Sequence, residues 1–218
     1  SRGPKKNDYI ARLREKYDAH FGCAPAMTLD CRDFWRHCVA APEMAVFAYR
    51  LESTRRPHHV VITAGMSQAP MHFAPYMGKA RWSAELICYL DELGGDDLRH
   101  LQWLAGLPFH ERLALGHGHA VAFGFPLYEQ SLLRHFLLLP APLEEDASLF
   151  DGFALSAHPV DLLWVVPLTE QEYQVNVKEH LEGIARLLTD AGHPLSLDRH
   201  RHCYVTGQSP EGLARVLH

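Results

Sequence analysis

Thr169 and Glu172 stand three residues apart, directly ahead of apolar residues at helical spacing. A threonine hydroxyl at a helix start can accept the amide of the third helical residue, and a glutamate there can reach back to the threonine amide. Tyr173, Val177, Leu181, Ile184 and Leu188 follow at intervals of 4, 4, 3 and 4, one face of a 3.6-residue helix. Gly192 and Pro194 stop it. The spacing predicts a helix of about five turns that packs through this stripe. No other stretch of the chain carries start, face and stop signals so fully.

Elsewhere the period changes several times. Asn7 or Asp8 can cap a helix bearing Tyr9, Ile10, Leu13 and Tyr17 on one face, closed by Gly22. Residues 31–41 read as a short helix carrying Trp35. Residues 44–51 and 59–64 are rich in strand formers. Residues 82–90 place Trp82, Ala84, Leu86, Cys88 and Leu90 on one face of a strand. Between the last two lies a long loop, 65–78, with three Met, two Pro and two Gly. A helix over 96–107, a run at 117–123, strands at 132–139 and 161–166, and a last short helix at 210–217 complete the reading, with 140–146 as an acidic turn. Strands and helices mix without regular alternation. The fold class expected is α+β, a mixed and mostly antiparallel sheet packed against helices. Residues 1–43 read as an N-terminal helical segment leading into a domain over 44–218, one compact unit.

Composition excludes several classes. Hydrophobic residues make up 47% and charged residues 22%, which is not a disordered chain. The net charge of −5 lacks the footprint of a nucleic-acid binder and does not favour anionic membranes. The longest apolar runs, at 136–139 and 162–168, fall far short of the roughly 18 residues a spanning helix needs. Five cysteines, an odd number with no CxxC pair, point to reduced thiols and a cytoplasmic setting.

Motifs for chemistry are sparse. There is no GxxxxGK[ST] and no GxGxxG, so no nucleotide loop is expected. Gly65-Met66-Ser67-Gln68-Ala69 misses a nucleophile elbow by its last glycine and reads as a turn. The 16 histidines are unusual. His117 and His119 would share a face on a strand and could chelate a metal, with His58, His59, His200, His202 and Cys203 as further donors. No zinc signature joins them, and exposed polar side chains are the simpler account. Glu85 is expected on the polar face of its strand; facing the core it would need an Arg or His. No catalytic residue, metal or cofactor is expected. The competing reading is a metal-dependent hydrolase built on His117, His119 and a third histidine.

The order of several segments resembles the suppressor-of-fused family. These are 57–67 with Thr63-Ala64-Gly65-Met66-Ser67, then Ala84-Glu85-Leu86-Ile87-Cys88-Tyr89-Leu90, Leu115-Gly116-His117-Gly118-His119, Leu137-Leu138-Leu139-Pro140 and Val166-Pro167-Leu168-Thr169-Glu170-Gln171-Glu172. Gly118 departs from the pattern, where a hydroxyl residue is usual. The resemblance covers about residues 44 to 203. It implies a sandwich-like α/β domain without catalytic activity, here of the bacterial single-domain type. In eukaryotic members two domains clamp a Gli-type peptide as an added strand; some bacterial members are presumed immunity proteins of toxin loci. The expected function is a protein-binding module, with immunity against a toxin as its specific form. Its groove is expected beside strand 59–64 and the loop after it. Val61, Thr63, Gly65, Met66, Ser67, Met71, Phe73 and Tyr76 are the expected partner-binding residues, the strand offering main-chain groups and the loop adaptable apolar side chains.

Overall fold

The computed structural model describes residues 8–31, 37–38, 41–71, 82–153, 156 and 158–211. The expected helices at 31–41 and 210–217 fall largely outside them. Helix α1 spans Asp8–Phe21, followed by strands β1 (Met27–Asp30), β2 (Ala45–Arg50), β3 (His59–Ala64) and β4 (Ser83–Leu90). Then come helix α2 (Gly95–His110), strands β5 (Ala120–Ala122) and β6 (Leu133–Pro140), the one-turn helix α3 (Glu144–Ala147), strand β7 (Val160–Thr169) and helix α4 (Glu170–Asp190). The strand order is β1-β2-β3-β4-β7-β6-β5. Neighbours β1 to β4 pair antiparallel, β4 and β7 pair parallel, and β5 pairs β6 antiparallel. The expected α+β class with a mixed sheet is what the chain forms. Internal contacts divide it into two units, residues 1–115 with 140–164 and residues 116–139 with 165–218.

In the first unit the last five residues of β3 and all eight of β4 are buried. Strands covered on both faces read as continuous apolar runs rather than alternations. That is why Glu85, assigned to a solvent face by alternation, lies in the core instead. Leu13 and Tyr17 of α1 are fully buried, as their spacing predicts, and the Tyr17 hydroxyl donates to the Thr63 carbonyl at 2.8 Å. Strand β1 was not expected. Its four residues are largely exposed; Met27 and Leu29 alternate with Thr28 and Asp30, a run too short to signal a strand by itself, and register against β2 holds them.

In the second unit α4 starts as predicted. Thr169 Oγ1 accepts the Glu172 amide at 3.3 Å, and Glu172 Oε2 accepts the Thr169 amide at 2.9 Å. The stripe fails halfway. Ile184 and Leu188 are buried, but Val177 is 50% and Leu181 39% exposed. His180 has φ 57 and ψ −160 inside the helix, so the residues before and after it do not share one straight face. The run expected at 117–123 shortens to β5. His117 and Gly118 form a turn before it, with Gly118 at φ +81. A Cβ on Gly118 would meet Leu181 at 3.0 Å, and the positive φ is itself unfavourable for other residues, so the turn is suited to glycine.

Candidate functional site

Glu85 is the centre of the first polar cluster. Its Oε1 accepts the Gly65 amide at 2.8 Å, the Ser67 amide at 3.0 Å and the Ser67 hydroxyl at 2.7 Å. Its Oε2 accepts the Thr63 hydroxyl at 2.6 Å, while Thr63 Oγ1 accepts the Leu86 amide at 2.8 Å. Thr63, Ser67 and Glu85 are all fully buried. The carboxylate thus caps the sharp turn after β3, where Gly65 takes φ +116 and a Cβ would collide with the Glu43 carbonyl at 2.3 Å. The expected cation is not the solution used: hydroxyls and amides satisfy the group. Burial pushes the Glu85 carboxyl above its ordinary value, against the pull of Thr63, Ser67 and Gly65. With its proton given to Glu85, the Ser67 hydroxyl accepts from Tyr9 at 2.7 Å. Ser67 is committed to this network and buried, which is not the setting of a nucleophile.

A second carboxylate in the same unit, Asp146, receives His20 Nε2 at 2.7 Å, the Tyr89 hydroxyl at 2.5 Å and the Arg56 guanidinium at 2.5 Å. It joins α1, the β2–β3 connection, β4 and α3. Burial alone would raise its pKa, but bonds from His20 and Tyr89 and the Arg56 charge hold it below the ordinary aspartate value.

In the second unit Glu172 binds Arg201 through both oxygens, each at 2.7 Å, a fork geometry that suits guanidinium and carboxylate. Both side chains are buried. Arg201 also donates to the Pro167 and His202 carbonyls, each at 3.0 Å, and lies 4.1 Å from the Tyr204 ring centre. Glu172 Oε1 accepts the Tyr204 amide at 2.9 Å. Burial opposes ionisation of Glu172, yet Arg201 and these amides hold its carboxyl below the usual range. Nearby, His193 shares a 2.7 Å hydrogen bond with the Tyr204 hydroxyl, and burial followed by the Arg201 charge lowers its pKa to about 4. Thr63, Ser67, Glu85, Thr169 and Glu172, polar residues within the segments of the resemblance, are therefore interior locks.

This changes the expected site. β3 is paired on both sides, by β2 and by β4, so no strand can add to it. Val61, Thr63, Gly65, Met66 and Ser67 are buried, and Met71 is only 4% exposed with its sulfur on the Leu115 amide. Phe73 and Tyr76 lie outside the described residues. The hydrolase reading also loses its premise, because His117 sits in a turn and His119 just after it, instead of both sharing a strand face. Among the described residues no three His, Cys, Asp or Glu are grouped so as to hold a metal.

What the strand order leaves at the sheet's ends is β1 and β5. Among the described residues, three exposed large apolar side chains of the second unit lie on the segment after β5 or on the helix that packs on it; a fourth, Val205, lies in the C-terminal segment. Phe125 is 69% exposed, three residues past the strand. Val177 and Leu181 project from α4, which packs on β5. Phe123 and Phe125 meet edge to face at 5.9 Å. No sequence pattern singled out Phe125; the only local hint is its place between Gly124 and Pro126, a turn dipeptide context.

The Suppressor of fused protein (SUFU) family matches residues 41–202. Among curated proteins none matches significantly. A solved suppressor-of-fused homolog from Neisseria gonorrhoeae FA 1090 is similar, with 20% identity and TM-score 0.67 over 90% of this chain and 97% of that one. A chain of the Sufu-Fu complex shares 14% identity, with TM-score 0.62 over 96% and 95%. Drosophila Suppressor of Fused shares 15% identity, with TM-score 0.61 over 98% of this chain; the chain spans 55% of that protein. These identities speak for the fold, while the family match covers most of the sequence. The chain belongs to the suppressor-of-fused family.

Proposed function

We propose that this chain is a non-catalytic protein-binding module whose partner adds along the free side of β5. The observation that carries the reading is the end position of β5 beside exposed Phe125, Val177 and Leu181. An edge strand offers unpaired main-chain groups to an extended segment, and adjacent apolar side chains give that segment pockets to fill. The similar Sufu-Fu complex is an assembly of two proteins, which supports a protein as the partner here. Neutralisation of a toxin is the specific form of binding proposed, and an odd cysteine count with no CxxC pair suits a cytoplasmic setting.

Capture from native lysate with identification by mass spectrometry supplies the partner. Phe125→Asp is then expected to lower capture at least tenfold with Tm within about 3 °C of the parent, since an exposed side chain contributes little to stability. The Met71 loop expected from sequence is tested by Phe73→Asp and Tyr76→Asp, because Met71→Asp would bury a charge. Loss of capture in the loop variants with full capture by Phe125→Asp would move the surface to the loop. A partner encoded beside this chain, whose toxicity the chain abolishes on co-expression, would establish the immunity role.

A further inference from the structure

His135 on β6 is 4% exposed, and both its ring nitrogens are engaged. Nδ1 lies 3.2 Å from the Phe123 amide, and Nε2 is bonded to the Glu170 carboxylate. A backbone N–H can only donate, so Nδ1 must be the unprotonated nitrogen and Nε2 the one that carries hydrogen. The ring also lies against Tyr173, with centroids 4.4 Å apart. The charged groups around it are Glu170, itself bonded to Gln174, and Arg134, whose guanidinium donates to the Gly124 carbonyl at 2.9 Å. The Phe123 amide that follows β5 is therefore held from β6 by one imidazole, while Gly124 is held by the Arg134 guanidinium and by its own amide on the Arg134 carbonyl at 3.0 Å.

We propose that His135 is a pH-dependent positioning residue that holds the Phe123 amide at the end of β5 in place only while its ring is neutral. A proton on Nδ1 replaces an acceptor with a donor facing the Phe123 N–H. That hydrogen bond is lost, while the bond to the Glu170 carboxylate becomes an ion pair and keeps the ring where it is. The ring cannot turn to restore the first bond without giving up the second. Acidification thus releases Phe123 while α4 stays docked through Glu170. The consequence for binding rests on the proposed β5 surface; the release itself does not.

The test is amide hydrogen exchange of Phe123 by NMR in the free chain, with His135 Nδ1 followed in the same samples from pH 8 to pH 5. The protection factor of Phe123 is expected to fall at least tenfold along the His135 titration. Two variants read the mechanism. His135→Gln offers one carbonyl and one amide group to the same two partners and does not titrate, so Phe123 protection should become independent of pH. Glu170→Gln, at a half-exposed position that leaves folding intact, keeps an oxygen acceptor for Nε2 without the charge, so Phe123 protection should still fall in acid. Constant protection across the His135 titration overturns the proposal. So does an unchanged fall in His135→Gln, or protection that no longer falls in acid in Glu170→Gln. Phe125→Asp separates the two readings: it should abolish capture yet keep the pH-dependent protection of Phe123.

Discussion

Glu85 sits where burial alone would exclude a carboxylate, and it is tolerated because four donors converge on it. Glu85→Ala would strand the Gly65 and Ser67 amides in the core. Each buried donor left without a partner costs about 1–3 kcal/mol, so the variant should lose at least about 3 kcal/mol in urea denaturation. Glu85→Gln keeps one acceptor oxygen for Gly65 and Ser67 and should lose less than half as much. The pair also carries a pH signature. The folded state binds the Glu85 proton more tightly than the unfolded chain, so its contribution is full below the ordinary carboxyl value of 4.5 and is lost as pH rises through the raised one. Stability of the parent relative to Glu85→Gln should therefore fall as pH rises from 4.5. A difference flat in pH would show that the four hydrogen bonds, not burial, govern this carboxyl.

Helix α4 shows where an element departs from its own sequence pattern. A stripe at 4, 4, 3 and 4 suits a straight helix, yet only its second half is buried. Ile184→Ala should cost about 2–5 kcal/mol, the usual range for a buried aliphatic side chain. Leu181→Ala should cost about 1 kcal/mol or less. Equal losses would mean that the helix is straight in solution. The kink has a test of its own. His180 occupies backbone angles that are close to glycine-only and cost about 1–3 kcal/mol for other residues. His180→Gly should raise stability by about 1 kcal/mol, whereas glycine inside a regular helix lowers it by about as much. The sign of that one measurement decides between kinked and straight.

At the scale of the whole chain, the response to acid sums groups that pull in different directions. Asp146 and Glu172 have lowered pKa values in the fold; their stabilisation is full above the ordinary carboxyl range and is lost as pH falls through the lowered values. His193 is neutral in the fold down to about 4, while the unfolded chain protonates it near 6.5. Its contribution is thus complete above 6.5 and disappears as pH falls toward 4. Stability should decline across that window, and His193→Gln should flatten the decline. Urea denaturation at pH 7, 6, 5 and 4 checks this; parallel curves for parent and variant would assign the acid response elsewhere.

The elements that sequence alone determined are those whose signals act over a few residues. The capping box at Thr169 and Glu172 formed as spaced, because both partners lie within one turn. Strands β3 and β4 and helix α2 fell near their expected places, because period and turn residues are local properties. Tertiary structure decided which carboxylates are interior and which surface is open. Ser67 reaches Glu85 across 18 residues, Arg201 reaches Glu172 across 29, and His20 reaches Asp146 across 126. The partner that makes a buried charge tolerable arrives only when the chain closes on itself, so no local window contains it. The same holds for sheet edges. Strand β3 has the strongest strand signal and is closed on both sides, while three-residue β5 is left at the end, since edge and centre are set by strand order and not by a strand's own residues.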